Sequence, residues 1–136
     1  MTDEDLTGMA VMVHPELPED PAEKQGEIGS ITVGSLAEDL VRVRFDDDRR
    51  GLYRMDAVLV FKTSDQIYQH IEDNIMTMTP ATFKDLKNIA LLLDYGTAPQ
   101  HLKAMKIAQK NPDAVSAALV SLEDSLGHQQ SYKRGR

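Results

Sequence analysis

Residues 46–51, Asp-Asp-Asp-Arg-Arg-Gly, set three carboxylates beside two guanidinium groups, and metal binding is the first chemistry they raise. Successive residues of an extended chain point to opposite faces, so Asp46, Asp47 and Asp48 do not converge on one ion. A calcium loop of the EF-hand type would need carboxylates at alternate positions and a closing glutamate, which this stretch lacks. The same residues suit an exposed turn between two strands, with Gly51 free to take a positive φ. The expectation is a hairpin tip.

His14-Pro15-Glu16 puts an imidazole beside a carboxylate, the pairing of general acid–base catalysis, yet without a nucleophile or a third, orienting group. The four histidines, His14, His70, His101 and His128, show neither HxxxH nor HExxH spacing. The glycines form no dinucleotide or P-loop fingerprint, and Ser30, Ser64 and Ser121 sit in no GxSxG elbow. With no cysteine there is no disulfide, thiolate nucleophile or cysteine-held metal. The pattern points away from an enzyme and implies no cofactor and no metal.

Binding residues are easier to find. Tyr53, in Gly-Leu-Tyr-Arg-Met-Asp, stands beside Arg54 and has the build of an interface anchor, since a half-exposed tyrosine buries area and keeps a hydroxyl for bonding. The alternative is that Tyr53 packs against the barrel end. The candidate contact surface gathers His14, Pro15, Pro18 and Pro21 from a proline-rich loop with Arg49, Arg50, Tyr53 and Arg54 around the hairpin tip. Met76, Met78 and Met105 are either core filler or an adaptable groove. A second surface, suited to nucleic acid, would combine Arg42 and Arg44, which share a strand face, with Arg49, Arg50, Arg54 and the tail residues Lys133, Arg134 and Arg136.

The elements that must position these residues change character near residue 63. Met9–Val13, Ile28–Val33, Leu40–Phe45, Gly51–Arg54 and Ala57–Phe61 read as five short strands, with Val41, Val43 and Phe45 alternating against Arg42 and Arg44. Gly29 marks a bulge or a close backbone approach, and the prolines between residues 14 and 27 exclude a central strand or a helix there. Beyond Thr63 the period becomes helical. Thr63 or Ser64 caps a helix carrying Ile67, Ile71 and Ile75. Thr79-Pro80 opens a second helix that Gly96 ends, and Thr97 caps a third. Asn111-Pro112 starts a helix expected to run through Val115, Ala118, Leu119, Leu122 and Leu126 to Gly127. The segment Leu86–Gly96 is apolar on nearly all sides, as a helix central in its bundle would be, or one pressed into a homodimer interface. No strand is expected after residue 64.

The fold class is therefore α+β: an N-terminal small β-barrel followed by a C-terminal bundle of three to four helices. Residues 1–7 are expected to be a flexible N-terminus, 8–62 the barrel, 63–127 a helical region packed on it, and 128–136 a frayed basic tail. The succession Gly-Met-Ala-Val-Met-Val, a long loop, Gly-Glu-Ile-Gly-Ser-Ile-Thr-Val, Leu-Val-Arg-Val-Arg-Phe, a charged turn and Gly-Leu-Tyr-Arg-Met-Asp-Ala-Val-Leu-Val-Phe resembles the small SH3-like barrels of the KOW and Mind-bomb/HERC types. The resemblance covers about residues 8–62 and leaves the helical half unmatched. It implies a ligand-binding barrel, for peptides or other proteins and sometimes for nucleic acid, and it carries over no catalytic residue.

Charge turns that expectation toward proteins. The net charge of −7 lies wholly in residues 1–63, with 14 acidic against 7 basic residues, while residues 64–136 hold 8 of each. Average acidity repels phosphate backbones, although a local basic strip remains compatible with it. No apolar run approaches the roughly 20 residues needed to cross a bilayer, and the acidic start is unlike a secretory signal. The composite expectation is a cytoplasmic, non-enzymatic adaptor or assembly subunit for another protein or peptide, with homodimerisation open. A nucleic-acid-associated protein and an accessory subunit of an enzyme are the alternatives.

Overall fold

A computed structural model describes residues 2–18, 20 and 23–127, which fall into two compact units, Met1–Val60 with Val120–Arg136, and Phe61–Leu119.

The first unit opens with one helical turn, α1 (Asp3–Leu6), where the sequence suggests only a flexible leader. The Thr2 backbone N–H donates to Asp5 Oδ2 (2.8 Å), a bond that holds the Asp5 carboxyl below its usual range. Leu6 is fully buried in the core. The strands are β1 (Ala10–Val13), β2 (Ile28–Ser35), β3 (Leu40–Phe45), β4 (Arg50–Arg54) and β5 (Val58–Phe61), close to the expected segments. They do not close into the expected barrel. The sheet is antiparallel, six-stranded and open, in the order β4-β3-β2-β1-β5-β6, with β4 and β6 at its edges.

The sheet still curls strongly. Only residues 55–57 join β4 to β5, a span of at most about 14 Å, whereas four flat strand spacings would need about 19 Å. Curling lets one face enclose Val11, Val13, Ile31, Val41, Val43, Phe45, Tyr53 and Val58. β3 shows why: its alternating Val41, Val43 and Phe45 turn in while Arg42 and Arg44 turn out, the period-2 pattern of a half-buried strand. Gly29 is the close approach the sequence suggests, since a Cβ there would lie 2.5 Å from Val43 Cγ1 and 2.7 Å from the Arg44 carbonyl. The bulge lies two residues further on, where the β2–β3 register shifts between Ile31 and Val33.

The sixth strand overturns the expectation that no strand follows residue 64. β6 (Leu119–Ser121) follows α5 (Pro112–Ala118), and residues 122–127 are helical again. Leu119 is extended (φ −117°, ψ 149°), and Ser121 Oγ accepts the Asp124 N–H (3.0 Å), capping the final helical segment. Leu122 and Leu126 join the core of the first unit, and the Glu123 N–H donates to the Met55 carbonyl (3.0 Å).

The second unit contains α2 (Ser64–Asn74), α3 (Pro80–Tyr95), α4 (Ala98–Gln109) and α5. Each start is marked in the sequence. The side chain of Thr63 accepts the Gln66 N–H, Thr79 that of Thr82, Thr97 that of Gln100, and Asn111 those of Asp113 and Ala114. Pro80 and Pro112 occupy first-turn positions that need no donor. Gly96 ends α3 at φ 73°, a left-handed conformation that glycine adopts without strain. Helix α3 packs against α2, α4 and α5, burying Leu86, Ile89 and Ala90, and so is central within this unit. Asn111 ties α5 to α3 through Thr82 Oγ1 (3.3 Å) and Asp85 Oδ2 (2.9 Å). Among the described residues no helix is long and apolar enough to cross a membrane.

Candidate functional site

The proline-rich loop is fastened to the inner side of the β3–β4 hairpin. Asp20, buried despite its charge, accepts the Tyr53 hydroxyl at 3.0 Å to each carboxylate oxygen and the Lys24 backbone N–H at 2.8 Å. Lys24 Nζ bridges to Asp47 Oδ2 (2.6 Å) and lies 5.6 Å from the centre of the Phe45 ring. Phe45 and Tyr53 meet edge to face, with centroids 6.3 Å apart and planes at 85°. Burial, reinforced by the Asp20 carboxylate, pushes the Tyr53 phenol well above its ordinary range, while Lys24 and then the Arg49 amide hold the Asp47 carboxyl below its own.

Tyr53 is 4% exposed. Of the two roles the sequence leaves open for it, anchor or packing residue, this position fits the second. His14 is also engaged locally: its N–H donates to the Ala57 carbonyl (2.9 Å), and its Nδ1 accepts the Glu16 N–H (3.1 Å). Pro15 and Pro18 are exposed on the loop, and Pro21 lies outside the described residues.

The charged stretch forms a hairpin tip. The Phe45 N–H donates to the Arg49 carbonyl (2.9 Å) and the Asp48 N–H to the Phe45 carbonyl (3.0 Å). The residue with positive φ is Asp48 (65°), not Gly51. Gly51 is needed for a different reason. It sits inside β4 under the Tyr53 ring, where a Cβ would come within 2.6–2.8 Å of ring carbons and the hydroxyl. The aspartates diverge as the extended geometry requires: Asp47 turns to Lys24, and Asp48 to Arg44 (Nη2 to Oδ1, 2.6 Å).

The opposite face of β2, β3 and β4 carries a different chemistry. Register aligns Val33, Arg42 and Leu52 in one row, Ser30, Arg44 and Arg50 in the next, and Ser35, Leu40 and Arg54 in a third. Four arginines therefore share this face with two exposed aliphatic side chains, Val33 (58% exposed) and Leu52 (57%). Arg54 lies 3.6 Å from both Asp39 and Asp56 at the rim, and Arg44 pairs with Asp48. Among the described residues Arg42 and Arg50 have no carboxylate partner. Arg44 and Arg50 stand directly across the ladder, a like-charge arrangement that disfavours the sheet. Guanidinium groups pair with carboxylates and phosphates bidentately, so anion pairing is the chemistry these side chains offer.

The sequence-derived candidates are thus divided. His14 and Tyr53 serve the interior and its loop, while Arg50 and Arg54 stand outward beside Arg42 and Arg44, and Arg49 is exposed in the turn. Val33 and Leu52 were missed, although Leu52 is in phase with Arg50 and Arg54 rather than with Tyr53. Lys133, Arg134 and Arg136 lie outside the described residues. The methionines do not line a common groove, for Met105 is fully buried, Met78 half-buried and Met76 93% exposed. On α3 the exposed large apolar residues are Leu91 and Tyr95, one turn apart. No family model, curated protein or solved structure matches the chain.

Proposed function

We propose that this protein is a non-enzymatic binding module, an adaptor or assembly subunit, that holds an acidic segment of another protein on the outer face of β2–β3–β4. The observation that carries this reading is the arginine quartet with Val33 and Leu52 among it. Arg42 and Arg50, which have no carboxylate partner among the described residues, supply charge, and the two aliphatic side chains supply apolar area that water would otherwise cover. The like-charge contact between Arg44 and Arg50 is relieved when an anion sits between them. The curled succession of β1 to β5 within the six-stranded sheet fits a proposed SH3-like ancestry, in which binding surfaces are formed by sheet faces and the loops beside them.

Nucleic acid is the second reading, since the same guanidinium groups would take phosphates. Proteins that grip single strands add aromatic platforms for the bases, and here Phe45 and Tyr53 face the core. Clustered acidic side chains with an apolar neighbour match the face better. Fluorescence anisotropy with two labelled probes, an acidic-aliphatic peptide and a single-stranded oligonucleotide, separates the two. The peptide should bind, more weakly as salt rises, and Arg42→Glu with Arg50→Glu should weaken it by about tenfold or more. Binding of the oligonucleotide alone, or a peptide affinity untouched by the charge reversal, would overturn the proposal.

A further inference from the structure

Among the described residues, β4 pairs with β3 on one side and with no strand on the other. In an antiparallel pair, residues that exchange both backbone hydrogen bonds alternate with residues whose amide groups point away. The Phe45–Arg49 bond fixes the phase, so Val43–Gly51 and Val41–Tyr53 are the bonded pairs further along the register. The N–H and C=O of Arg50 and Leu52, and the N–H of Arg54, therefore point out of the open edge. The Arg54 carbonyl is already taken by the Ala57 N–H (3.0 Å). The same three residues hold their side chains exposed on the arginine-bearing face. Unused donors, unused acceptors and a charged–apolar–charged row thus coincide on one strand.

A second copy does not fit this edge. Antiparallel pairing of β4 with itself about Leu52 would set each Arg50 against the other copy's Arg54, and like charges directly opposed disfavour pairing. Charged edges guard against such self-association. The row that repels its own kind attracts its complement. We propose that the β4 edge takes up an extended segment of a partner protein as an added strand. Acidic, apolar and acidic residues at three successive alternate positions of that segment would meet Arg50, Leu52 and Arg54. The pattern reads the same in both directions, so it holds for either strand orientation. This deepens the proposed function and rests on the sheet face being the site for an acidic partner.

The test uses the full chain and three short synthetic peptides rich in threonine. One carries glutamate, valine and glutamate at alternate positions. A second has the same composition with the two glutamates adjacent, and a third has lysine in place of glutamate. The alternating peptide should bind, both others should bind about tenfold more weakly or worse, and saturation should slow amide hydrogen exchange at Arg50 and Leu52 by about tenfold or more. Equal binding of the alternating and scrambled peptides, or binding without slowed exchange at those two amides, overturns strand addition and leaves the acidic-partner reading standing. Failure of the alternating peptide to bind even at low salt overturns both.

Discussion

Tyr53 and Asp20 meet in the interior, where a phenol hydroxyl gives a buried carboxylate one of the hydrogen bonds it needs. Replacing Tyr53 by Phe removes that hydrogen bond from a buried site, a loss of about 1–2 kcal/mol that urea denaturation should register. The pH dependence follows from the direction of the shift. The folded-state phenol titrates above its ordinary value of 10.0, chiefly because it is buried, so its contribution is fully present below that pH. As pH rises beyond it, the unfolded chain releases a proton that the folded chain keeps, and stability falls. The wild type should therefore lose stability more steeply above pH 10.0 than Tyr53→Phe, and parallel curves would contradict the role given to the buried hydroxyl. At Gly29 the limit is steric. An added methyl would meet the Arg44 carbonyl at 2.7 Å and a Val43 methyl at 2.5 Å, and backbone yields less readily than a side-chain tip. Gly29→Ala should cost about 1–3 kcal/mol, read as a lower thermal midpoint. Gly29 announced its close approach in the sequence. Tyr53 did not announce its side, because Leu52, Tyr53 and Met55 offer apolar residues to both faces of β4 and only the fold chooses between them.

Asn111 shows how much one cap can do for a helical element. Its carbonyl oxygen accepts two amides of α5, and its amide nitrogen reaches Thr82 and Asp85 on α3, so the residue fixes both the start of one helix and its seat on another. Asn111→Ala should destabilise the protein by about 1–2 kcal/mol, while Asn111→Asp should retain the cap and disturb the contact with Asp85. Equal losses in the two variants would mean that the bridge to α3 carries the effect rather than the cap. The helices of this unit were legible because Thr63, Thr79-Pro80, Thr97 and Asn111-Pro112 state their starts locally. The strand β6 was not. Val115, Leu119, Leu122 and Leu126 are spaced four, three and four apart, a helical stripe, and three residues are too few for a period of two to compete with it. What selects the strand is pairing with distant sequence, seen in the Lys62 N–H bonded to the Ala118 carbonyl (2.9 Å). One local signal was present: Ser121 three residues before Asp124 marks a new helix start, and hence a break before it. The open sheet was hidden for a related reason, since strand count and turn spacing do not say whether the last edge finds the first.

At the scale of the molecule, the boundary near residue 63 that the change of period suggests is only one of two. The chain leaves the first unit after Val60 and re-enters it at Val120 to supply β6, Leu122 and Leu126. A fragment ending at residue 63 should therefore fail to fold, because it lacks an outer strand and two buried leucines. Joining residue 61 to residue 119 through a short glycine linker should restore a cooperative transition in the first unit, and circular dichroism with urea titration of both fragments checks this. A well-folded 1–63 fragment would show that β6 is dispensable. The same return has a consequence for synthesis. At about 5–20 residues per second, the ribosome needs roughly three to twelve seconds to extend the chain from β5 to β6. Throughout that interval the nascent sheet has a bare side at β5 where its outermost strand belongs, while the helices that interrupt it are still being made.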